Sequence, residues 1–192
     1  QCVLHEVCGY DCCTTDSSFR NFVHIYVKND ISSKNYINYS SISHCVNVNA
    51  WDTLRVENGK ICFQSVNISN NKCCGNLVLC YPSVDSNSVT LSFSYSSFAD
   101  NSATNRASLL LWRPGAKYEI KSCNILRNSQ VDVNTYGIIS TQGNMKIEDS
   151  CILENKATPI FYLHYSSYTI TLSNCTVDST SNNGYLITQN TV

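Results

Sequence analysis

The feature of this chain that leaves it the fewest choices of fold is a repeat. With Ile120 as anchor, the residues at offsets of minus two, plus three, plus five and plus eight are Tyr118, Cys123, Ile125 and Asn128. Ile147 returns Met145, Ser150, Ile152 and Asn155, and Leu172 returns Ile170, Cys175, Val177 and Thr180. Toward the N-terminus, Phe93 brings Leu91, Ser96, Phe98 and Asn101; Phe63 brings Ile61, Val66, Ile68 and Asn71; Tyr39 brings Ile37, Ile42, His44 and Asn47. The anchors lie 24 to 30 residues apart. A constant core with variable spacers means that insertions collect in loops between stacked units.

Within each core, apolar and polar residues alternate, as in Tyr118-Glu119-Ile120-Lys121 and Met145-Lys146-Ile147-Glu148, which is the period of a strand. Ser122, Asp149 and Asn174 then break the alternation and imply a bend before a second short strand. Most spacers hold one further apolar strand, at residues 76–80, 108–112, 137–140, 160–165 and 185–188. A helix-linked parallel sheet would need ten or more helical residues per crossover, and none is visible. The pattern predicts an all-β, single-stranded parallel β-helix of six to seven coils. Stacked coils place equal offsets about 4.8 Å apart. Glu119 then faces Lys146, Lys121 faces Glu148, and Arg127 falls between Asp100 and Glu154, each neighbour being of opposite sign.

The cores close on residues 98–101 (FADN), 125–128 (ILRN) and 152–155 (ILEN). These units resemble the right-handed parallel β-helix repeats of the pectate-lyase-like superfamily, and are similar to the FxxN repeats of polymorphic-outer-membrane-protein-like surface proteins. The resemblance covers residues 36 to 188. It implies that the recurrent asparagines, Asn47, Asn71, Asn101, Asn128 and Asn155, sit at the bend and stack their amides on one another. On this reading residues 1–35 form a Cys-rich N-terminal cap and first coil, and residues 36–192 one continuous run of repeats.

Twelve cysteines, dense at Cys2, Cys8, Cys12 and Cys13 and again at Cys73, Cys74 and Cys80, point to an oxidising compartment and make these seven the disulfide candidates. Cys123 and Cys175 share one slot two coils apart, about 9.6 Å, which is beyond disulfide reach. Asn38, Asn67 and Asn174 begin N-x-S/T triplets and are the glycosylation candidates. The chain opens at Gln1 without a charged, apolar leader, as a secreted chain does once its signal peptide is removed. With 14% charged residues and a formal net charge of −1, it carries no electrostatic footprint for nucleic acid. No apolar run approaches the about 20 residues of a membrane span.

Catalysis on a β-helix needs charged groups converging on one outer face. The resemblance would supply acidic calcium ligands with a basic residue in lyases, or paired carboxylates in hydrolases. Neither stands out: Asp149 stacks with Tyr95, Ser122 and Asn174, while Asp100 and Asp132 could meet other groups only through loops. His44 takes an inward slot, where a local hydrogen bond would satisfy it. His5 with the N-terminal cysteines does not match zinc-knuckle spacing. No catalytic, metal or cofactor site is therefore expected. Tyr162, Tyr165 and Tyr168 lie in residues 161–168 (FYLHYSSY), readable as a binding face or as strand filling. Apolar strand residues still arrive in residues 182–192, which points to an open or truncated C-terminal end: either a piece of a longer β-helix, or a coil that docks a protein partner or a second copy, with glycans as further partners. The expected function is that of a secreted or cell-surface structural or adhesive β-helix, part of a coat or filament. A carbohydrate-active enzyme or polysaccharide-binding module is the alternative, and an intracellular scaffold the third reading.

Overall fold

The computed structural model of the chain describes residues 1–12, 21–47, 51–131 and 136–192. Every pairing between its strands is parallel, and no helix occurs among the described residues. The chain winds as a β-solenoid of about six turns. Successive turns, with the partial turns at both ends, build a first sheet of eight strands: Cys2–His5, Lys34–Asn38, Lys60–Gln64, Leu91–Ser94, Lys117–Lys121, Asn144–Glu148, Thr169–Ser173 and Tyr185–Gln189. A sharp bend leads into a seven-stranded second sheet running from Cys8–Tyr10 to Thr176–Val177. Another bend leads through a short four-stranded ledge, Val46–Asn47 to Ser129–Gln130, into a six-stranded third sheet from Asn21–Tyr26 to Phe161–Leu163.

The interior is a set of columns running along the solenoid axis. Phe63, Phe93, Ile120, Ile147 and Leu172 stand in register, as do Ile61, Leu91, Tyr118, Met145 and Ile170. On the second sheet the column is Ile42, Ile68, Phe98, Ile125 and Ile152. All fifteen are buried. Like packs on like because equal offsets meet: the rings of Phe63 and Phe93 stack at 4.6 Å and Phe98 meets Phe93 edge-on at 5.3 Å. Tyr118 keeps its hydroxyl satisfied by donating to the Arg113 carbonyl at 2.9 Å.

Both bends that flank the second sheet are left-handed. At plus two from the anchors, Ser65, Tyr95, Ser122, Asp149 and Asn174 have φ between 51° and 54°. At plus seven, Asn70, Asp100, Arg127 and Glu154 have φ between 53° and 58°. Such residues cost about 1 kcal/mol or more each when they carry a Cβ. What holds them is the rung above, whose carbonyls accept their N–H groups: Tyr95 donates to Lys121, Ser122 to Glu148, Asp100 to Leu126 and Arg127 to Leu153, all at 3.0–3.1 Å.

The residue after each bend turns its own N–H inward, where a side chain must receive it. After the first bend the acceptor is a serine: the Val66 N–H donates to Ser96 Oγ and the Cys123 N–H to Ser150 Oγ, both at 3.1 Å. After the second it is asparagine. Asn71, Asn101, Asn128 and Asn155 form one continuous ladder. The Oδ1 atoms of Asn101, Asn128 and Asn155 each accept the backbone N–H and the side-chain Nδ2 of the asparagine on the preceding rung, at 2.9–3.2 Å. Each Nδ2 also donates to the carbonyl of Ile42, Ile68, Phe98 or Ile125 on that preceding rung.

The first repeat is set two residues away from the sequence-based register. Ile37, not Tyr39, pairs with Phe63, and Cys73 faces Asn47. The slot beside Asn71 therefore belongs to Cys45, whose N–H donates to Asn71 Oδ1 at 2.9 Å. Asn47 lies two positions past the ladder slot. Tyr39 is a left-handed bend residue and 55% exposed rather than an inward anchor. His44, expected inward, is exposed at the second bend with its ring 5.0 Å from that of Tyr10. A slip of two leaves the alternation within each strand unchanged, so the alternation does not detect it; only the bend residues Tyr39 and His44 change sides. A second correction concerns residues 185–188. They are no spacer strand but join the first sheet beside Thr169–Ser173.

The turn from the third sheet back to the first, at residues 58 and 59, shows where glycine is required. Asn58 and Gly59 both have positive φ (67° and 69°), and a Cβ on Gly59 would lie 2.5 Å from the Ser33 carbonyl oxygen. Gly59→Ala is expected to lower stability by more than about 1 kcal/mol, read as a shift in urea midpoint at constant slope. Asn101→Ala removes the acceptor of the Asn71 N–H and the donor to the Ile68 carbonyl. Its expected cost is about 3 kcal/mol or more, against a smaller loss for Asn155→Ala, where a half-buried site admits water.

Candidate functional site

The outer face of the third sheet differs in chemistry from the outer faces of the other two. The first sheet shows solvent mainly Lys, Glu, Ser and Thr, whereas the outward positions of the third sheet carry His24, Arg55, Leu79, Leu110, Ser140 and Tyr162 in one column. Beside it run Tyr26, Glu57 and Tyr81, with Trp112 next in line. Leu79, Leu110 and Ala107 are buried on the outside of the coil, under Tyr81, Trp112 and Tyr136. This is a second, smaller apolar cluster that the winding of the chain does not require.

At one end of this face lies an aromatic group centred on His164. Its ring is 4.6 Å from Trp112, 4.9 Å from Tyr136 and 4.9 Å from Tyr162, and its Nε2 lies 2.8 Å from Ser140 Oγ. Burial among these rings lowers the His164 pKa from 6.5 to about 4, so the imidazole is neutral at pH 7. The contact has the spacing of a nucleophile and its base. Ser140, however, is fully buried beneath the rings, and no ion pair joins His164 to a carboxylate among the described residues. Rings in edge-to-face contact hold one another in place, which is the property of a preformed contact surface.

At the other end is a charged group that sequence reasoning missed. Glu57 Oε1 is 2.8 Å from His24 Nε2 and 2.7 Å from Arg55 Nε, while Arg55 Nη1 lies 3.9 Å from Asp52 Oδ2. The Arg55 guanidinium also sits 5.4 Å over the Tyr81 ring, and Arg106 lies 4.9 Å over Trp51. Two carboxylates thus flank one arginine. Their environments differ. Burial raises the pKa of Asp52, whose Oδ1 accepts from Asn76 Nδ2 at 2.6 Å. Burial also pushes Glu57 up, but hydrogen bonds from Arg55 and His24 outweigh it and hold that carboxyl below its usual range. Asp52 is 1% exposed, so of the two carboxylates only Glu57 reaches the surface. The signal that could have found them is the polar alternation of residues 52–57, in a spacer with no apolar run.

Other residues singled out from sequence take the following places. Among the described residues no disulfide joins Cys2, Cys8, Cys12, Cys73, Cys74 or Cys80; Cys13 lies outside the described residues, as does Asp132. Burial pushes the Cys73 thiol up to about 12 and the Cys80 thiol higher still. Cys123 and Cys175 are buried after the first bend, where their Sγ atoms contact the carbonyls of Lys121 and Ser173 at 3.3 Å. There they take the place that serine takes in neighbouring rungs. Asn67 and Asn174 are exposed and Asn38 is half-buried. Arg127 makes a two-pronged bridge to Asp100 at 2.7 and 2.8 Å, whereas Lys146 pairs with Glu148 of its own strand at 2.7 Å. Among the described residues no group of three or more His, Cys, Asp or Glu side chains is placed to hold a metal ion, and no helix is long and apolar enough to cross a membrane. Comparison with protein-family models, with curated proteins and with solved structures found no match to this chain.

The His164 site sets a pH dependence. The unfolded chain takes up a proton near pH 6.5 and the folded one only near 4, so this group withdraws stability as the pH falls from about 6.5 toward 4 and returns it as the pH rises. His164→Gln is expected to flatten that part of the curve, measured as urea midpoints at pH 7 and pH 5.

Proposed function

We propose that this protein is a non-catalytic, extracellular β-helix of the right-handed, pectate-lyase-like kind, similar to FxxN-repeat surface proteins, which works as a structural and adhesive element. The observation that carries this reading is the apolar, aromatic outer face of the third sheet. Trp112, Tyr136, Tyr162 and His164 form a preformed surface on the outside of the coil. Aromatic rings held in this way bind sugar faces or protein side chains at low entropic cost. The solenoid behind them is rigid because its bends are satisfied rung by rung, which suits a spacer in a coat or filament.

The second reading, a carbohydrate-active enzyme, is favoured by Asp52 and Glu57 beside Arg55. Burial of Asp52 weighs against it, since glycoside hydrolysis requires two carboxyl groups reaching the same bond.

A polysaccharide array incubated with purified protein separates the two. Retention without release of reducing ends, weakened at least about tenfold by Trp112→Ala together with Tyr162→Ala, is the expected result. Turnover that disappears in Glu57→Gln would replace adhesion by catalysis. Mass spectrometry of the native protein tests the compartment: a glycan at Asn67 or Asn174, or disulfide-linked peptides, supports secretion, while twelve free thiols without glycans would assign the scaffold to the cell interior.

A further inference from the structure

A cavity of about 220 Å³ opens on the outer surface of the first sheet, near its N-terminal end and apart from the aromatic face. Its charge is unusual for a sheet. Lys34 and Lys60 stand directly side by side on adjacent parallel strands. Thr90, the next residue in that column, is followed by Lys117: the Thr90 carbonyl accepts the Ile61 N–H at 2.9 Å and its N–H donates to the Lys117 carbonyl at 3.0 Å. Like charges placed opposite one another on neighbouring strands repel. Asp85 relieves one of them, with its carboxylate 3.8 Å from Lys60 Nζ. Ser88 Oγ holds that carboxylate in place and also accepts from Lys60 Nζ at 2.9 Å. Lys34 forms no ion pair among the described residues.

The second observation is independent of charge. Thr90 lines the cavity, is 1% exposed, and its Oγ1 is buried without a hydrogen-bond partner. An unpaired hydroxyl of this kind costs stability unless something outside the protein completes it. Tyr36 and Ser92, half-buried in the same wall, offer further hydroxyl groups. Two ammonium groups, a small volume and a donor with no acceptor share one complement, a negatively charged oxygen cluster.

We propose that this cavity is an oxyanion-binding site, which takes a sulfate, phosphate or carboxylate group between the Lys34 and Lys60 ammonium groups and the Thr90 hydroxyl. The group arrives either as a free ion or as the acidic substituent of a sugar. The volume admits one such group with part of a ring and is below that of sites for drug-sized ligands.

Titration calorimetry of the full chain at constant ionic strength tests this, with inorganic sulfate, inorganic phosphate, glucuronate and a 6-sulfated N-acetylglucosamine as probes and chloride as the reference. The expected result is saturable one-to-one binding of at least one probe, strengthened as background salt is lowered, and weakened at least tenfold by Lys34→Gln. Binding of the inorganic ions alone identifies a free-ion site; tighter binding of either sugar identifies an acidic glycan. Thr90→Val distinguishes a ligand contact from a structural one. It should weaken binding severalfold while leaving the melting temperature in chloride unchanged or higher, because the variant lacks the unpaired hydroxyl. No probe binding beyond chloride, or undiminished binding in Lys34→Gln, would overturn the proposal.

Discussion

The backbone groups at the two bends of each turn control this structure. A chain that turns sharply through a left-handed residue swings the next N–H toward the interior, away from water and from the strand ladder. An unmet buried N–H or carbonyl costs as much as several good contacts return. At the second bend both kinds are exposed to the core, the N–H of the slot residue and the carbonyl three positions earlier. An asparagine amide on the next rung meets both, since it has an acceptor oxygen with two lone pairs and two donor hydrogens. The links run from Asn71 to Asn155 without a break. At the first bend only the N–H needs a partner, and the smaller hydroxyl of Ser96 or Ser150 is enough.

Because each bend is completed by the rung above it, the rungs cannot slide independently, and this explains why the interior sorts into columns of like residues. Phe63 meets Phe93, and Ile120 meets Ile147. It also explains why Tyr95, Arg127 and Glu154 adopt a left-handed backbone that their side chains do not favour. The neighbours over-determine the conformation. The outer surface is free of this constraint, and there the three sheets diverge. The first sheet carries opposed and like charges around the Lys34 and Lys60 cavity, while the third has become an aromatic surface with an apolar cluster beneath it.

Most of this fold was legible from residues 61 to 177, where anchor, bend and asparagine recur together. Tyr39 is ambiguous in sequence because shifting a strand by two residues keeps the same alternation along it, so that only the bend positions, Tyr39 and His44, change from inward to exposed, and Asn47 supplies a false match in the last slot. Only the pairing of Ile37 with Phe63 removes the ambiguity. The left-handed residue of the second bend has no consistent type, being Asn70 and Asp100 in two turns but Arg127 and Glu154 in the next two, and only the asparagine that follows it marks the place. Asp52, Arg55 and Glu57 escaped notice for a related reason. Their strand carries Asp52, Arg55 and Glu57 where the next strand carries Asn76, Leu79 and Tyr81, so it lacks the apolar run that marks the other spacers.

By itself the sequence determined that the chain is a stack, that its strands alternate with bends, and which residues fill the core between Phe63 and Leu172. These follow from local periodicity, from a constant core repeated every 24 to 30 residues, and from spacers with no helical stretch. The tertiary structure decided the register of the first turns, the bonds within the asparagine ladder, and which side chains meet on the outside: His164 with Trp112 and Ser140, Glu57 with Arg55 and His24, Lys34 with Lys60. Apart from Glu57 with Arg55, which share one strand, those meetings join residues of different turns through spacers of unequal length, and a spacer's length in residues does not say where its side chains come to rest.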